Sequence, residues 1–407
     1  MQARLVFAAL LLVSNQIASL YVLRAQGGGA ASAGLFAKKA TGRTNVVIVS
    51  ACSLRADYVD VIGKTHDLTP NLDALARRGF TCLRAYSEGT WTRPSHIALF
   101  SSRHPREANA SMTLADDVAS LPELYQRAGY ATGGFTGGGN IAAGFGFARG
   151  FDVYTENEAS CQELSRRVDE GMSWVDGLNR SAFFMFLHGT DCHAPFRGLC
   201  PDPRSPYALL EHRLASTMQS GLEHIFDGRF YPGASMEEYA AITRNPNLSR
   251  EYKDQYRPTT LEPGFYGHLR GHYAAAVRST DSAIGHLLDG LRDRGLLDST
   301  IVVVVGDHGW DLGEHGYVTH AVHGYDSIAH VPVILAGPSI PQGRSTREMV
   351  GLKDVAPTLL ALTGLDRAAT FLGNDLVGLM KQVPADKPRF AVTTLAGLHP
   401  WQQTLTT

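Results

Sequence analysis

The chain has 407 residues, 44% of them hydrophobic, which suits one large α/β domain or two smaller ones with a sizeable core. Its ordinary Gly and Pro contents argue against a disordered or fibrous protein. The formal net charge is −2 and the Lys and Arg residues are spread along the chain, so we expect no nucleic-acid partner.

Residues 1–26 have the pattern of a secretory signal peptide or an N-terminal anchor. Arg4 precedes two apolar runs within residues 5–23, and the first run alone is too short to cross a bilayer. No A-x-A cleavage site follows, so a cleaved signal and a retained membrane anchor both stay open. Residues 27–43, rich in Gly, Ala and Ser, predict a flexible linker. We therefore expect an extracytoplasmic protein that is secreted or membrane-anchored through residues 5–23.

The remaining chain alternates apolar runs with segments of helical spacing. Four runs predict strands buried on both faces of a sheet: residues 45–49, 183–187, 301–305 and 331–335. Helices are predicted at residues 70–78, 94–100, 121–128, 272–294 and 355–363. This alternation predicts an α/β fold with a mostly parallel sheet sandwiched between helices. The expected domain covers residues 44–380, with a helical and loop insertion at about 195–266 and a short tail at 381–407.

Polar residues cluster after three of these strands, at the sheet edge where α/β proteins bind ligands. Asp307 and His308 follow the strand at 301–305, and an adjacent Asp–His pair there can bind one divalent metal ion. His193 follows the strand at 183–187 and is placed to protonate a leaving oxygen. Asp307 alone also suits an ordinary turn cap, but the clusters taken together indicate a site.

A fourth polar element lies at the predicted start of the helix at 94–100. Thr92 comes two residues before Pro94, which we expect at the first helical position. Backbone N–H groups at a helix N-terminus favour anions, so a hydroxyl there suits a nucleophile that attacks a sulfate or phosphate ester. Taken singly, Thr92 fits an ordinary helix cap better.

The order and spacing of these blocks resemble the sulfatase family of the alkaline phosphatase superfamily, from residue 45 to about 364. The matching blocks are Leu54-Arg55-Ala56-Asp57, Thr69-Pro70-Asn71-Leu72-Asp73, Pro94-Ser95-His96, His188 to Pro195, Asp307-His308-Gly309, Gly313-Glu314-His315-Gly316 and Asp354-Val355-Ala356-Pro357. The resemblance implies an alkaline phosphatase-like sheet between helices and one bound divalent metal ion, usually calcium.

The resemblance also assigns expected roles to individual residues of this chain. The catalytic residues are expected to be Thr92 as nucleophile, His193 as acid and His320 against the ester oxygens. The metal ligands are expected to be Asp307, His308 and, as a doubtful third, Cys52. Substrate contacts are expected from His96, His188 and Arg93.

The chain departs from the family pattern at two of these positions. Thr92 stands where sulfatases carry the Cys or Ser that becomes formylglycine, so we expect no formylglycine here. A Thr nucleophile occurs in phosphoryl-transferring relatives, which raises phosphate esters as substrates beside sulfate esters. Cys52 stands where the family has a metal-ligand Asp. A thiolate suits zinc far better than calcium, so zinc or manganese becomes an alternative ion.

Three functions follow from these features. The first is a sulfatase-like, metal-dependent hydrolase in which Thr92 attacks a small-molecule, glycan or lipid ester in line. The second is a catalytically impaired pseudoenzyme that keeps the fold for binding, because Cys52 replaces a hard oxygen donor. The third is a membrane-associated transferase of the phosphoethanolamine type, which the Thr nucleophile also allows.

Overall fold

The structure is a computed structural model that describes residues 43–63, 67–108, 113–157, 162–178, 182–194, 196, 263–315, 318–321, 323–382, 391–394 and 403–406. The signal or anchor at residues 1–26, nearly all of the linker and most of the insertion at about 195–266 lie outside these residues. The prediction for the anchor therefore stays a prediction. Among the residues described, no helix is both long enough and apolar enough to span a membrane.

An eight-stranded sheet forms the centre of the described chain. Its strands are β1 (Asn45–Ala51), β2 (Gly79–Tyr86), β3 (Ala131–Thr136), β4 (Val153–Glu156), β5 (Phe183–Gly189), β6 (Thr300–Gly306), β7 (Val333–Ala336) and β8 (Arg344–Gly351). They are arranged in the order β4-β3-β5-β1-β6-β7-β2-β8, and only β7 runs antiparallel to its neighbours. The prediction of a mostly parallel α/β sheet is confirmed. A separate hairpin pairs β9 (Ala391–Thr394) with β10 (Gln403–Thr406), within the predicted tail.

Helices cover both faces of this sheet. They are α1 (Asp60–Gly63), α2 (Pro70–Arg77), α3 (Thr92–Ser101), α4 (Pro105–Ala108), α5 (Leu121–Arg127), α6 (Glu163–Asp176), α7 (Pro263–Asp293), α8 (Asp326–Ala329), α9 (Val355–Thr363) and α10 (Val377–Met380). The side chains of the central strands alternate between two cores because successive residues of a strand point to opposite faces. Val47 and Val49 of β1 pack with α2, α6 and α7, whereas Val46 and Ile48 pack with α3, α5 and α9.

Sequence patterns missed half of the strands of the eight-stranded sheet, both strands of the hairpin and some helix starts. Strands β2, β3, β4 and β8 carry Gly, Thr or charged residues instead of a continuous apolar run, because they lie away from the sheet centre. The helix predicted from Pro94 begins at Thr92, so Pro94 is its third residue. Proline is tolerated there because the first N–H groups of a helix have no partner within it. The helix predicted from His272 begins at Pro263.

Candidate active site

The three central strands of the sheet bring the candidate residues to one edge. In the register of β1, Ala51 pairs with Gly189 of β5 on one side and with Gly306 of β6 on the other. The residues at or just beyond these strand ends therefore meet, and the Cys52 N–H donates to the Gly189 carbonyl at 2.9 Å. Three buried strands held by main-chain hydrogen bonds make this edge a rigid platform.

Four buried side chains converge at this edge with atoms suited to a metal ion. The Cys52 sulfur, a ring nitrogen of His188 and a carboxylate oxygen of Asp307 all lie within 4.8 Å of one another. His308 lies beside this group, with Nε2 3.8 Å from Cys52 Sγ and 3.5 Å from Asp307 Oδ2. The structure thus brings together the three predicted metal ligands and adds His188, for which the sequence had suggested a substrate contact.

Several polar atoms of this group have no hydrogen-bond partner among the described residues. Asp307 Oδ1 accepts the backbone N–H groups of Ser53 at 3.0 Å and His308 at 2.8 Å, whereas Oδ2 has no such partner. Neither ring nitrogen of the buried His188 has one. Buried polar atoms without partners are destabilising and rare, and a bound cation would satisfy Asp307 Oδ2 and one ring nitrogen of His188. One sulfur, two imidazoles and one carboxylate form a donor set that fits zinc.

The protonation of these groups depends on whether a cation is present. Burial raises the pKa of the Cys52 thiol, and the neighbouring Asp307 raises it further. Burial also raises the pKa of Asp307 and lowers the pKa of His308 to about 4. A divalent ion reverses this balance for the thiol and the carboxyl, because it favours the thiolate and the carboxylate as ligands.

Thr92 lies beside this group at the first residue of α3. Its Oγ1 is 3.3 Å from His308 Nε2 and 3.6 Å from Cys52 Sγ. The N-cap position belongs to Trp91, which makes no side-chain cap hydrogen bond. The Thr92 hydroxyl therefore faces the candidate ligands instead of capping the helix, at the helix end that favours negative charge.

His96 lies beneath the nucleophile position on α3 and is fully buried. Its Nδ1 lies 2.7 Å from the Thr92 carbonyl and its Nε2 lies 2.9 Å from Ser50 Oγ. Because a carbonyl oxygen accepts only, Nδ1 carries the proton in this arrangement. These contacts connect α3 to β1, and both ring nitrogens of His96 are engaged within the protein.

His193 and His320 form a second pair of imidazoles next to His308. Their Nε2 atoms are 3.0 Å apart, and the His320 ring centroid lies 4.5 Å from that of His308. His193 Nδ1 donates to the Ala194 carbonyl at 2.8 Å, which directs Nε2 towards His320. Trp310, fully buried, packs edge-on against both rings. The predicted acid and the predicted oxygen-binding residue are therefore adjacent.

Arg93 follows the nucleophile position and is almost fully buried. Its guanidinium stacks on Phe145 at 3.4 Å from the ring centroid and donates to Asn140 Oδ1 at 3.1 Å. These two contacts join α3 to the loop after β3. The predicted substrate contact from Arg93 stays a prediction.

Tyr273 of α7 supports the site without having been predicted from the sequence. Its hydroxyl donates to the Ser53 carbonyl at 2.6 Å and accepts the Arg55 N–H at 2.9 Å. These bonds hold the turn after Cys52, where Ser53 adopts a left-handed backbone conformation with φ of 63°. In the sequence, Tyr273 is marked by its place in an amphipathic helix. That pattern does not distinguish a residue that supports the site from one that packs in the core.

Glu88, in the segment that leads into α3, predicts a pH-dependent stability. Burial raises its pKa from 4.5 to about 8. Its Oε2 accepts the Lys353 N–H at 3.3 Å. The folded protein therefore holds a proton that the unfolded chain releases, and the free energy of unfolding falls as pH rises from about 4.5 to about 8. We expect Glu88→Gln to remove this fall, which is of order 3–5 kcal/mol over the window.

Chemical denaturation of the wild type and Glu88→Gln at several pH values measures this effect. The control is Glu348→Gln, because Glu348 is an exposed glutamate on β8. The control should keep the wild-type pH dependence. Parallel stability curves for the wild type and Glu88→Gln between these pH limits would contradict the prediction.

Known proteins are similar to this chain in sequence and in fold. A protein named Sulfatase from Formosa agariphila is 24% identical over 403 residues, covering 88% of this chain and 76% of that protein. The structure of a phosphonate monoester hydrolase of Agrobacterium radiobacter is similar with a TM-score of 0.65 at 17% identity, covering 87% of this chain and 80% of the other.

The fold is also that of the wider superfamily. A protein in the alkaline phosphatase superfamily from Vibrio parahaemolyticus gives a TM-score of 0.56 at 21% identity, covering 86% of this chain and 73% of the other. The family model described as Sulfatase matches residues 44–365, which is most of this chain. The chain therefore belongs to the sulfatase family.

Proposed function

We propose that this chain is a metal-dependent hydrolase of sulfate or phosphate esters, with Thr92 as the nucleophile. One observation carries the proposal: Cys52 Sγ, grouped with the buried unpartnered atoms of His188 and Asp307, lies 3.6 Å from a hydroxyl at a helix N-terminus. A relative named Sulfatase supports sulfate esters, and a structural neighbour named as a phosphonate monoester hydrolase supports esters of phosphorus acids.

The side chains of Cys52, His188, Asp307 and His308 would hold the ion. When bound, a divalent cation supplies a Lewis acid that stabilises negative charge on ester oxygens and favours ionisation of a nearby hydroxyl. His308 is suited to bind the ion, because its Nδ1 donates to the Gly309 carbonyl at 2.9 Å. The lone pair of Nε2 is therefore left on the side of Thr92.

The covalent steps follow from the positions of Thr92 and His193. The Thr92 oxygen attacks phosphorus or sulfur as its hydroxyl proton passes to solvent, and a bond to Thr92 forms. The bond to the leaving oxygen breaks, and the alcohol departs with a proton from His193. Water then attacks the same phosphorus or sulfur, returns one proton to His193 and releases the anion, and Thr92 regains a proton from solvent.

The single hydroxyl of Thr92 bears on the substrate class. An intermediate on Thr92 has no second hydroxyl on the same carbon to expel the bound anion, so water has to attack the phosphorus or sulfur directly. Formylglycine chemistry is closed to this chain, because Thr92 stands where sulfatases carry the Cys or Ser that becomes formylglycine. We therefore propose phosphate esters together with sulfate esters, on a small molecule, glycan or lipid.

A substrate panel tests the proposal directly. Purified protein is stripped with a chelator, reloaded with zinc, calcium or manganese, and assayed on an aryl phosphate, an aryl phosphodiester and an aryl sulfate. We expect turnover of at least one ester with a reloaded ion and none in the stripped protein. Protein that retains a bound ion and turns over none of the three would contradict the hydrolase.

A pseudoenzyme is the second candidate, and two observations favour it. Cys52 replaces the oxygen donor that the family resemblance leads us to expect, and Thr92 is only 6% exposed. In that case the site would serve ligand binding without turnover. A transferase acting at a membrane stays a third proposal, which rests on the N-terminal segment and on Thr92.

The N-terminal pattern also leads us to propose an extracytoplasmic location for the protein. Mass spectrometry of the N-terminus after expression with the full leader distinguishes a cleaved signal from an anchor.

A further inference from the structure

A second cluster of possible metal ligands lies in the loop that follows β6, and it shares no residue with the candidate active site. We propose that Asp311, His315 and His323 bind a second divalent transition-metal ion of the zinc type, which fixes the loop that carries His320. This site goes beyond the proposed ester hydrolysis and does not depend on it.

The geometry brings one oxygen and two nitrogens together. Asp311 Oδ2 lies 2.6 Å from His315 Nδ1 and 3.0 Å from His323 Nε2. One ligand atom from each of the three residues lies within 4.8 Å of the others. A tetrahedral ion with bonds of about 2.0–2.1 Å would hold its ligand atoms about 3.3 Å apart. The two present separations of 2.6 and 3.0 Å are shorter than this, so binding an ion would move these ligand atoms apart by about 0.7 and 0.3 Å.

The carboxylate of Asp311 is oriented for this role. Its Oδ1 accepts the backbone N–H groups of Gly313 at 3.0 Å and His315 at 3.4 Å, whereas Oδ2 faces the imidazoles and also accepts the Ser327 hydroxyl at 3.4 Å. In its ionised form, the form that binds a cation, the carboxylate therefore presents one oxygen to both imidazoles.

The chemistry of the donors selects the class of ion. Two imidazole nitrogens and one carboxylate oxygen suit zinc and neighbouring transition metals, whereas calcium and magnesium prefer oxygen ligands. His315 is one-third exposed and His323 one-eighth exposed as side chains, so an ion can reach the cluster from solvent. The remaining coordination position would be open to water.

The ligands lie on both sides of His320 in the chain. Asp311 N–H donates to the Thr319 carbonyl at 2.9 Å, and Ala321 N–H donates to the Thr90 carbonyl at 3.0 Å. An ion shared by Asp311 and His323 would close the loop around these bonds. It would thereby hold His320 against His193 and His308, and so act on the ester site through position alone.

The alternative to a bound ion is that hydrogen bonds alone hold these three residues together. The number of zinc ions bound per chain distinguishes the two possibilities. The full chain is loaded with zinc, dialysed and analysed by elemental mass spectrometry, alongside His323→Ala, His315→Ala and Asp307→Asn. His286→Ala is the matched control, because His286 Nε2 lies 2.9 Å from Asp169 on the surface with the same imidazole–carboxylate pairing.

We expect two zinc ions per chain in the wild type and in His286→Ala, and one fewer in His323→Ala and His315→Ala. Circular dichroism confirms that each variant is folded. Equal zinc content in the wild type and both loop variants would overturn the second site. Loss of zinc in Asp307→Asn alone would also overturn the second site, and it would still support a metal ion at the ester site. Loss in the loop variants alone would support this site and contradict the other.

Discussion

Thr92→Ala is expected to reduce ester turnover by about 10³-fold or more, because it removes the hydroxyl proposed to form the covalent intermediate. The nearest candidate ligand, His308 Nε2, is 3.3 Å from that hydroxyl. The methyl group of alanine replaces a small side chain at the first residue of α3, so the free energy of unfolding should change by no more than about 1 kcal/mol. Steady-state kinetics on the best ester of the panel, with thermal unfolding in parallel, measures both quantities.

Thr92→Ser is the matched control for this experiment. Serine keeps the oxygen and loses one methyl group, so it should retain turnover within about 10- to 100-fold of the wild type. Zinc content should stay the same in both variants, because Thr92 is not among the four proposed ligands. Wild-type turnover in Thr92→Ala would show that another group attacks the ester, and the proposed mechanism would be wrong.

Cys52→Asp is expected to shift the metal preference of the site from zinc towards calcium and manganese. The substitution exchanges a soft sulfur donor for a hard carboxylate oxygen at the end of β1. Without an ion, the new carboxylate would face Asp307, and both groups are excluded from solvent. The ion-free variant should therefore be less stable than the wild type, and calcium should restore stability. Competition between zinc and calcium, followed by thermal unfolding, measures the shift.

Cys52→Ser separates the loss of sulfur from the gain of charge. We expect it to lower zinc affinity at least 10-fold without raising calcium affinity. Unchanged zinc affinity in both variants would exclude Cys52 as a ligand. A wild type that binds no ion, beside a Cys52→Asp protein that gains both metal and turnover, would instead identify a decayed site and favour the pseudoenzyme.

The sequence predicted the parts of the fold that depend on strong local patterns. The runs that became β1, β5 and β6 are apolar throughout because both faces of these strands are covered. The helix at 355–363 was predicted with its observed ends, and Gly364 follows it in a left-handed conformation with φ of 69°. Edge strands such as β8 escaped prediction, since their exposed faces carry polar residues.

The structure groups several residues that the sequence singled out, but their geometry was not predicted. The positions of Asp307, His308 and Thr92 followed from strand and helix ends, which local patterns reveal. The grouping of His188 with Cys52 did not follow from these local patterns, because it depends on β5 lying next to β1 in the sheet. That neighbour relation involves residues more than 100 positions apart, and spacing along one chain does not encode it.

The cluster of Asp311, His315 and His323 was not predicted from the sequence, for a related reason. Asp311 and His315 are four residues apart, which suggests a shared face only within a helix, and this segment is a loop. The loop places them together through the bonds from Asp311 Oδ1 to the backbone. Such turn geometry is set by local hydrogen bonds that a residue pattern does not specify.

The central claim is that Cys52 and Asp307 help to bind one transition-metal ion beside Thr92. X-ray absorption at the zinc edge tests it most directly, on zinc-loaded and dialysed His323→Ala protein, so that the loop cluster does not contribute. We predict about one zinc per chain, with one sulfur at about 2.3 Å and nitrogen or oxygen ligands at about 2.0–2.2 Å. Protein that retains no zinc, or zinc without a sulfur ligand, would contradict the account.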